Sequence, residues 1–251
     1  MRDGDELKRK LVGVDLAWHS DRNPTALASG ELLDGVLRLQ AIEVDLFPVQ
    51  QLLQHLRDID GLRGVAIDAS LIIPNQTGQR RCEIALSRVY GSRGAACHAS
   101  NTTLYPQADS VALSRQLSRE GFQHLGQAKW QIECYPHPAM IEIFGLERRL
   151  LYKKGSVTQK RAGQKQLAEL IGRLNNSPVL ALEIPPDLQI YFDPAEIDQL
   201  TGRSLKSNED ALDAVICLYI AGLYALNAEG IVFGDTLAGY IWVPQGYKLA
   251  D

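Results

Sequence analysis

The chain has 251 residues, 45% of them hydrophobic and 22% charged, with a formal net charge of -4 at pH 7. That is enough apolar material for one sizeable core, and it excludes a fibrous or disordered chain. The acidic balance also excludes a protein that holds nucleic acid by bulk electrostatics, so any such contact must be local.

Residues 11–18 (LVGVDLAW) form a nearly continuous apolar run, as expected of a central strand buried on both faces, and Asp15 interrupts it. Strand patterns at 25–30 and 36–44, with a turn at 32–35, predict a three-stranded meander. Within 47–59, Val49, Leu52, Leu53 and Leu56 recur at helical spacing, and Gly61 with Gly64 reads as the helix stop. Residues 64–68 (GVAID) predict a second short buried strand that again ends on an acid, Asp68. Helical patterns at 82–90 and 110–120 belong to an elaborated loop. Residues 129–134 (KWQIEC) predict another strand, which runs into Tyr135-Pro136-His137-Pro138, where the prolines suit the first turn of a new helix. A basic amphipathic helix is expected at 159–174, a mixed segment at 178–191, a long and mostly apolar helix at 208–227, and a last short strand at 240–243.

No apolar stretch of signal-peptide length precedes the first strand pattern, and no window approaches the roughly 18 apolar residues of a membrane span. The expectation is a cytoplasmic protein without membrane contact. Cys82, Cys97, Cys134 and Cys217 form no CxxC pair, which suits a reducing compartment.

Asp15 and Asp68 carry the first functional signal, because an ionised aspartate inside a strand costs several kcal/mol unless it is partnered. A cation bound by both would offset that cost, and carboxylate oxygens are the ligands that hard ions such as Mg²⁺ or Mn²⁺ prefer. Each acid could equally cap the turn that follows it. Asp210 and Asp213 are three apart and share one face of the predicted last helix. Asp210 fits a capping box with Ser207-Asn208-Glu209, whereas Asp213 lies past the first turn and has no such explanation.

Together these features resemble the ribonuclease H-like superfamily, in which acids on the first strand, the fourth strand and the final helix bind two divalent ions. The resemblance implies an α/β fold of that kind over 1–251: a mixed central sheet, antiparallel meander plus parallel strands, flanked by helices, with helical insertions around 75–128 and 145–206. More narrowly, GVDLAW, AIDASL with Pro74 after it, Arg81-Cys82-Glu83, ECYPHPA and EDALDAVICLYIA resemble the family called domain of unknown function 429, described as predicted nucleases of this fold, over about residues 11–243. The DxxDA pattern at 210–214 also resembles the final helix of Holliday-junction resolvases. The resemblance implies that Asp15, Asp68 and Asp213 are metal ligands, that Glu133 or Asp210 completes the set, and that a bound water attacks a phosphodiester.

His137 is a candidate to order water or protonate a leaving group, since an unperturbed imidazole titrates near neutrality. A zinc site joining Cys97, His98, Cys134 and His137 lacks the spacing of known motifs. Arg81, Lys153, Lys154 and Arg161 are candidate phosphate contacts within two basic stretches, each of which could also be a solvated helix face. Two rival functions remain: a non-catalytic ribonuclease H-like module that binds nucleic acid or a protein, and a nucleotide-binding phosphotransferase of the actin and sugar-kinase type.

Overall fold

The computed structural model describes residues 8–18, 23–46 and 49–246. β1 (Arg9–Asp15) pairs antiparallel with β2 (Thr25–Leu33), which turns through Asp34 and Gly35, both at positive φ, into β3 (Val36–Leu46). The expected meander is therefore present. After α1 (Val49–Asp58), β4 (Leu62–Asp68) runs parallel to β1 on the side away from β2. Residues 47–48 of the predicted helix lie outside the described residues. Gly61, at φ 74°, makes the turn after α1, but Gly64 is no helix stop: it lies in β4 against the Trp130 ring, which a Cβ would approach to 2.2 Å.

α2 (Arg81–Tyr90), α3 (Asp109–Arg119) and the short β5 (Gln123–His124) lead to β6 (Trp130–Glu133), which is parallel to β4. Pro136 then opens α4 (Pro136–Ile143), at a position where a missing N–H costs nothing. α5 (Val157–Arg173), β7 (Ala181–Glu183), α6 (Pro194–Ile197) and α7 (Gly202–Ala225) follow. The seven strands order as β5-β6-β4-β1-β2-β3-β7. β8 (Gly230–Asp235), which the sequence did not suggest, pairs with β9 (Gly239–Pro244) in a separate hairpin that touches the sheet through a bridge between Cys134 and Trp242.

Both faces of the sheet are covered, which explains the unbroken apolar runs of β1 and β4. Val12, Val14, Val65 and Ile67 face α1 and α3; Leu11, Ala28, Ala66 and Ile132 face α7. From Asn208 to Leu223 α7 is buried all round, as a central helix should be. It lies so close to β1 that a Cβ on Gly13 would come within 1.9 Å of the Leu218 backbone nitrogen. Any side chain at Gly13 would drive the helix off the strand. No helix among the described residues is long and apolar enough to cross a membrane.

α7 corrects one expectation with consequences for function. It begins at Gly202, where Ser204 Oγ accepts from the Thr201 N–H, rather than near Asn208. Asp210 is therefore deep in the helix and not at its N-terminus. The capping explanation for its charge falls away.

Candidate active site

The C-terminal ends of β1, β4 and β6 deliver three acids side by side. Asp15 and Asp68 are register partners on adjacent parallel strands, each half-buried, and Glu133 ends the next strand. α7, seated on Gly13, adds Glu209, Asp210 and Asp213, all buried. Asp15 and Asp210 stand within hydrogen-bond reach, which two carboxylates tolerate only by sharing a proton. Burial, and then the charge of Asp15, pushes Asp210 up to about 8. Burial also raises Asp15, and burial together with Asp15 holds Asp68 well above the usual carboxylate range.

Two lysines stand against this charge. Lys153 Nζ pairs with Asp213 Oδ2, while Asp213 Oδ1 accepts from the Tyr152 hydroxyl at 2.5 Å. Burial opposes the charge of Lys153, yet Asp213 holds its pKa well above the ordinary lysine value. Lys206 Nζ bridges Glu209 at 2.9 Å and Asp210 at 2.5 Å. Asp15, Asp68, Glu209, Asp210 and Asp213 thus outnumber the ammonium groups by more than two to one.

The fit to a hard divalent ion is one of donor chemistry and charge. All donors are carboxylate oxygens, and the raised pKa values show protons taking up charge that a cation could take up instead. It is not a finished cage. Among the described residues no three acidic, histidine or cysteine side chains converge on one point as they stand. Asp213 and Asp210 are turned toward their lysines.

Glu133 belongs to a different network. Its oxygens accept from Arg80 Nη1 at 2.9 Å, Arg80 Nη2 at 2.5 Å and the Leu71 N–H at 2.9 Å, so it has no free edge to offer an ion. Lys129, four residues before Glu133, donates to the Glu120 carbonyl instead.

Asp68 borders a cleft of about 260 Å³ whose lining includes the cations Arg149, Lys153 and Lys154 and the rings of Trp18, Tyr135 and His137. The family described as “Protein of unknown function (DUF429)” matches residues 13–233, most of the chain. The chain belongs to that family. No curated protein and no solved structure matches it. The span that makes this a DUF429 protein includes Asp15, Asp68, Glu133, Asp210 and Asp213 together with the cations of the cleft.

Of the expected substrate contacts, Lys153 and Lys154 reach the cleft of this DUF429 chain and two others do not. Arg81 is exposed on α2, near Asp235 of the β8–β9 hairpin; it is Arg80, one residue earlier, that turns inward. Arg161 Nε donates to the Leu200 carbonyl at 2.8 Å and ties α5 to the loop before α7. His137 lines the cleft, but burial and Lys153 push it down to about 4. Its ring is neutral at pH 7 and unsuited to protonating a leaving group. Cys97, His98, Cys134 and His137 border the same cleft without forming a metal-holding group among the described residues, and Cys134 Sγ lies 3.7 Å from Cys217 Sγ.

Sequence reasoning missed Tyr152, Lys206 and Glu209, and placed Arg80 only in the basic stretch it shares with Arg81. One signal for Tyr152 was present. Gly163 lies within α5 where a Cβ would come within 2.0 Å of the Leu151 carbonyl oxygen, so this glycine lets the Tyr152–Lys153 segment pack down.

Proposed function

We propose that this chain is a divalent-metal-dependent nuclease or phosphodiesterase on a ribonuclease H-like fold, using Asp15, Asp68 and the acids of α7. The observation that carries the reading is the register of Asp15 with Asp68 on neighbouring parallel strands, beneath Asp210 and Asp213. The same arrangement supports the fold: a meander, a parallel fourth strand beside the first, and a late buried helix over both. Asp15 and Asp68, with Asp210 or Asp213, would hold Mg²⁺ or Mn²⁺. The ion would supply a Lewis acid for a phosphoryl oxygen and lower the pKa of a water. Lys153, between Asp213 and the cleft, places a fixed positive charge where a phosphate would sit. Neutral His137 can accept a proton or a hydrogen bond but begins without one to give from an imidazolium.

Calorimetry with Mn²⁺ tests the reading. Binding to wild type should release protons and strengthen as pH rises toward about 8, where Asp210 loses its own proton. Asp15→Asn should abolish it. Undiminished binding by that variant, or no binding at millimolar Mn²⁺, would remove the metal site and with it the nuclease reading.

One observation favours the non-catalytic binding module: Lys153 and Lys206 already satisfy Asp213 and Asp210. That reading requires nucleic-acid binding that survives Asp15→Asn and is lost when Lys153 and Lys154 are neutralised.

A further inference from the structure

The cleft beside the carboxylates has a size and a lining that limit what can enter it. Its roughly 260 Å³ lies just below the 300–1,000 Å³ usual for small-molecule pockets, room for about one nucleotide unit. A base pair is two such units and exceeds that volume. Asp68, Arg149 and Lys154 all line it. Among the described residues neither of these cations is paired with a carboxylate, in contrast to Lys153 and Lys206. They are placed as anion contacts in a chain whose overall charge would repel anions.

The rest of the lining is mixed and includes the aromatic side chains of Trp18, Tyr135, His137 and Tyr152. Trp18 lies three residues past the end of β1 and stacks on Tyr105, ring centroids 4.4 Å apart and planes 33° apart, while 37% of Trp18 stays exposed. A part-exposed tryptophan backed by a second ring, in one cleft with cations that no carboxylate pairs, is the combination that holds an unpaired base and its phosphate together. Bases that must reach a buried site enter unpaired or are extruded from the stack.

We infer that the cleft receives a single unpaired nucleotide, its base on the Trp18–Tyr105 ledge and its phosphate between Arg149, Lys154 and the acid cluster. The inference rests on the phosphoester reading of the same site and narrows its substrate. The nucleotide comes either free or as part of a single strand. A continuous duplex or an intact junction is excluded.

Trp18 is also the reporter, because Trp130 and Trp242 are buried. Fluorescence is titrated with thymidine 5′-monophosphate, a short oligothymidylate and a blunt hairpin duplex, each in chelator and again with Mg²⁺. Quenching by the mononucleotide, the oligothymidylate or both, weakened in Lys154→Ala and Arg149→Ala, is the expected result. A mononucleotide response identifies a free nucleotide as sufficient; an oligothymidylate response alone identifies the strand. By calorimetry, Trp18→Ala should weaken binding of the responding ligand by about tenfold, the scale of one base–aromatic stack. Duplex binding as tight as single-strand binding overturns the inference, as does the absence of any response to both unpaired probes. Binding without hydrolysis would keep the inference and sink the hydrolytic reading; hydrolysis of duplex by a protein that ignores both unpaired probes would do the reverse.

Discussion

Replacing Arg80 by alanine should cost about 3–5 kcal/mol of folding stability, the usual penalty for leaving a buried charge without its partner. The side chain is 1% exposed and ends in five contacts. It donates to both oxygens of Glu133, to Glu83 Oε1 at 2.8 Å, to Ser70 Oγ at 2.7 Å and to the Ile72 carbonyl at 3.0 Å. Glu83 in turn accepts from the backbone N–H groups of Arg80 and Ser100. One guanidinium therefore joins α2, the loop after β4, the Ser100 loop and the end of β6, which together form the back of the cleft. Without it Glu133 and Glu83 remain buried with no cation between them. Burial already raises the Glu133 pKa, and its protonation in the folded state would offset part of the loss, so the deficit should be largest at neutral pH and shrink as pH falls toward 4. Arg80→Lys should recover only part of the stability, because an ammonium cannot present the planar fork that Glu133 accepts. Urea unfolding across that pH range measures all three expectations. A loss below about 1 kcal/mol, or one independent of pH, would mean that water replaces the guanidinium and that the network is ornamental.

Local chemistry fixes what the sequence makes legible here. β1 and β4 announce themselves as apolar runs because both faces are covered, and Asp15 and Asp68 stand out in them for the same reason. The start of α4 is legible in Pro136 because proline is tolerated at few other helical positions. Positions set by tertiary contact are not legible in this way. Ser207 to Asp210 has the spacing of a capping box, but Thr201 and Ser204 open α7 earlier, and only the buried surface beyond Asn208 shows why the extended helix is held. Gly64 reads as a helix stop until Trp130, 66 residues downstream, is seen to lie on it. Choosing Arg81 over Arg80 fails on the same ground: both have the same local signature, and only the position of Glu133 on a distant strand tells which one turns inward. The lysines of the site follow suit. Nothing in the spacing of Tyr152, Lys153 and Asp213 indicates that the segment before α5 folds over α7.

The acid cluster predicts opposite stability effects for two substitutions of the same kind. Metal-free Asp68→Asn should be more stable than wild type at neutral pH by about 0.5–2 kcal/mol, the usual gain from one stabilising substitution, because burial and the charge of Asp15 disfavour the Asp68 carboxylate. The sign follows from linkage: Asp68 is held well above its unfolded value, so the folded state binds a proton that the unfolded state has released. Wild-type stability then falls as pH rises from about 4 through the raised pKa. Asparagine carries no such dependence, so its advantage should be absent near pH 4 and grow above it. Asp213→Asn should instead destabilise by about 2–4 kcal/mol, because Lys153 loses its partner and Tyr152 its charged acceptor. Thermal unfolding in chelator, followed by the same series with Mn²⁺, separates the contributions. Wild type should gain stability from the ion by mass action, and Asp68→Asn should gain little or nothing. A destabilised Asp68→Asn that still responds to Mn²⁺ would mark Asp68 as a structural hydrogen-bond acceptor and move the ion site to Asp15 and α7 alone.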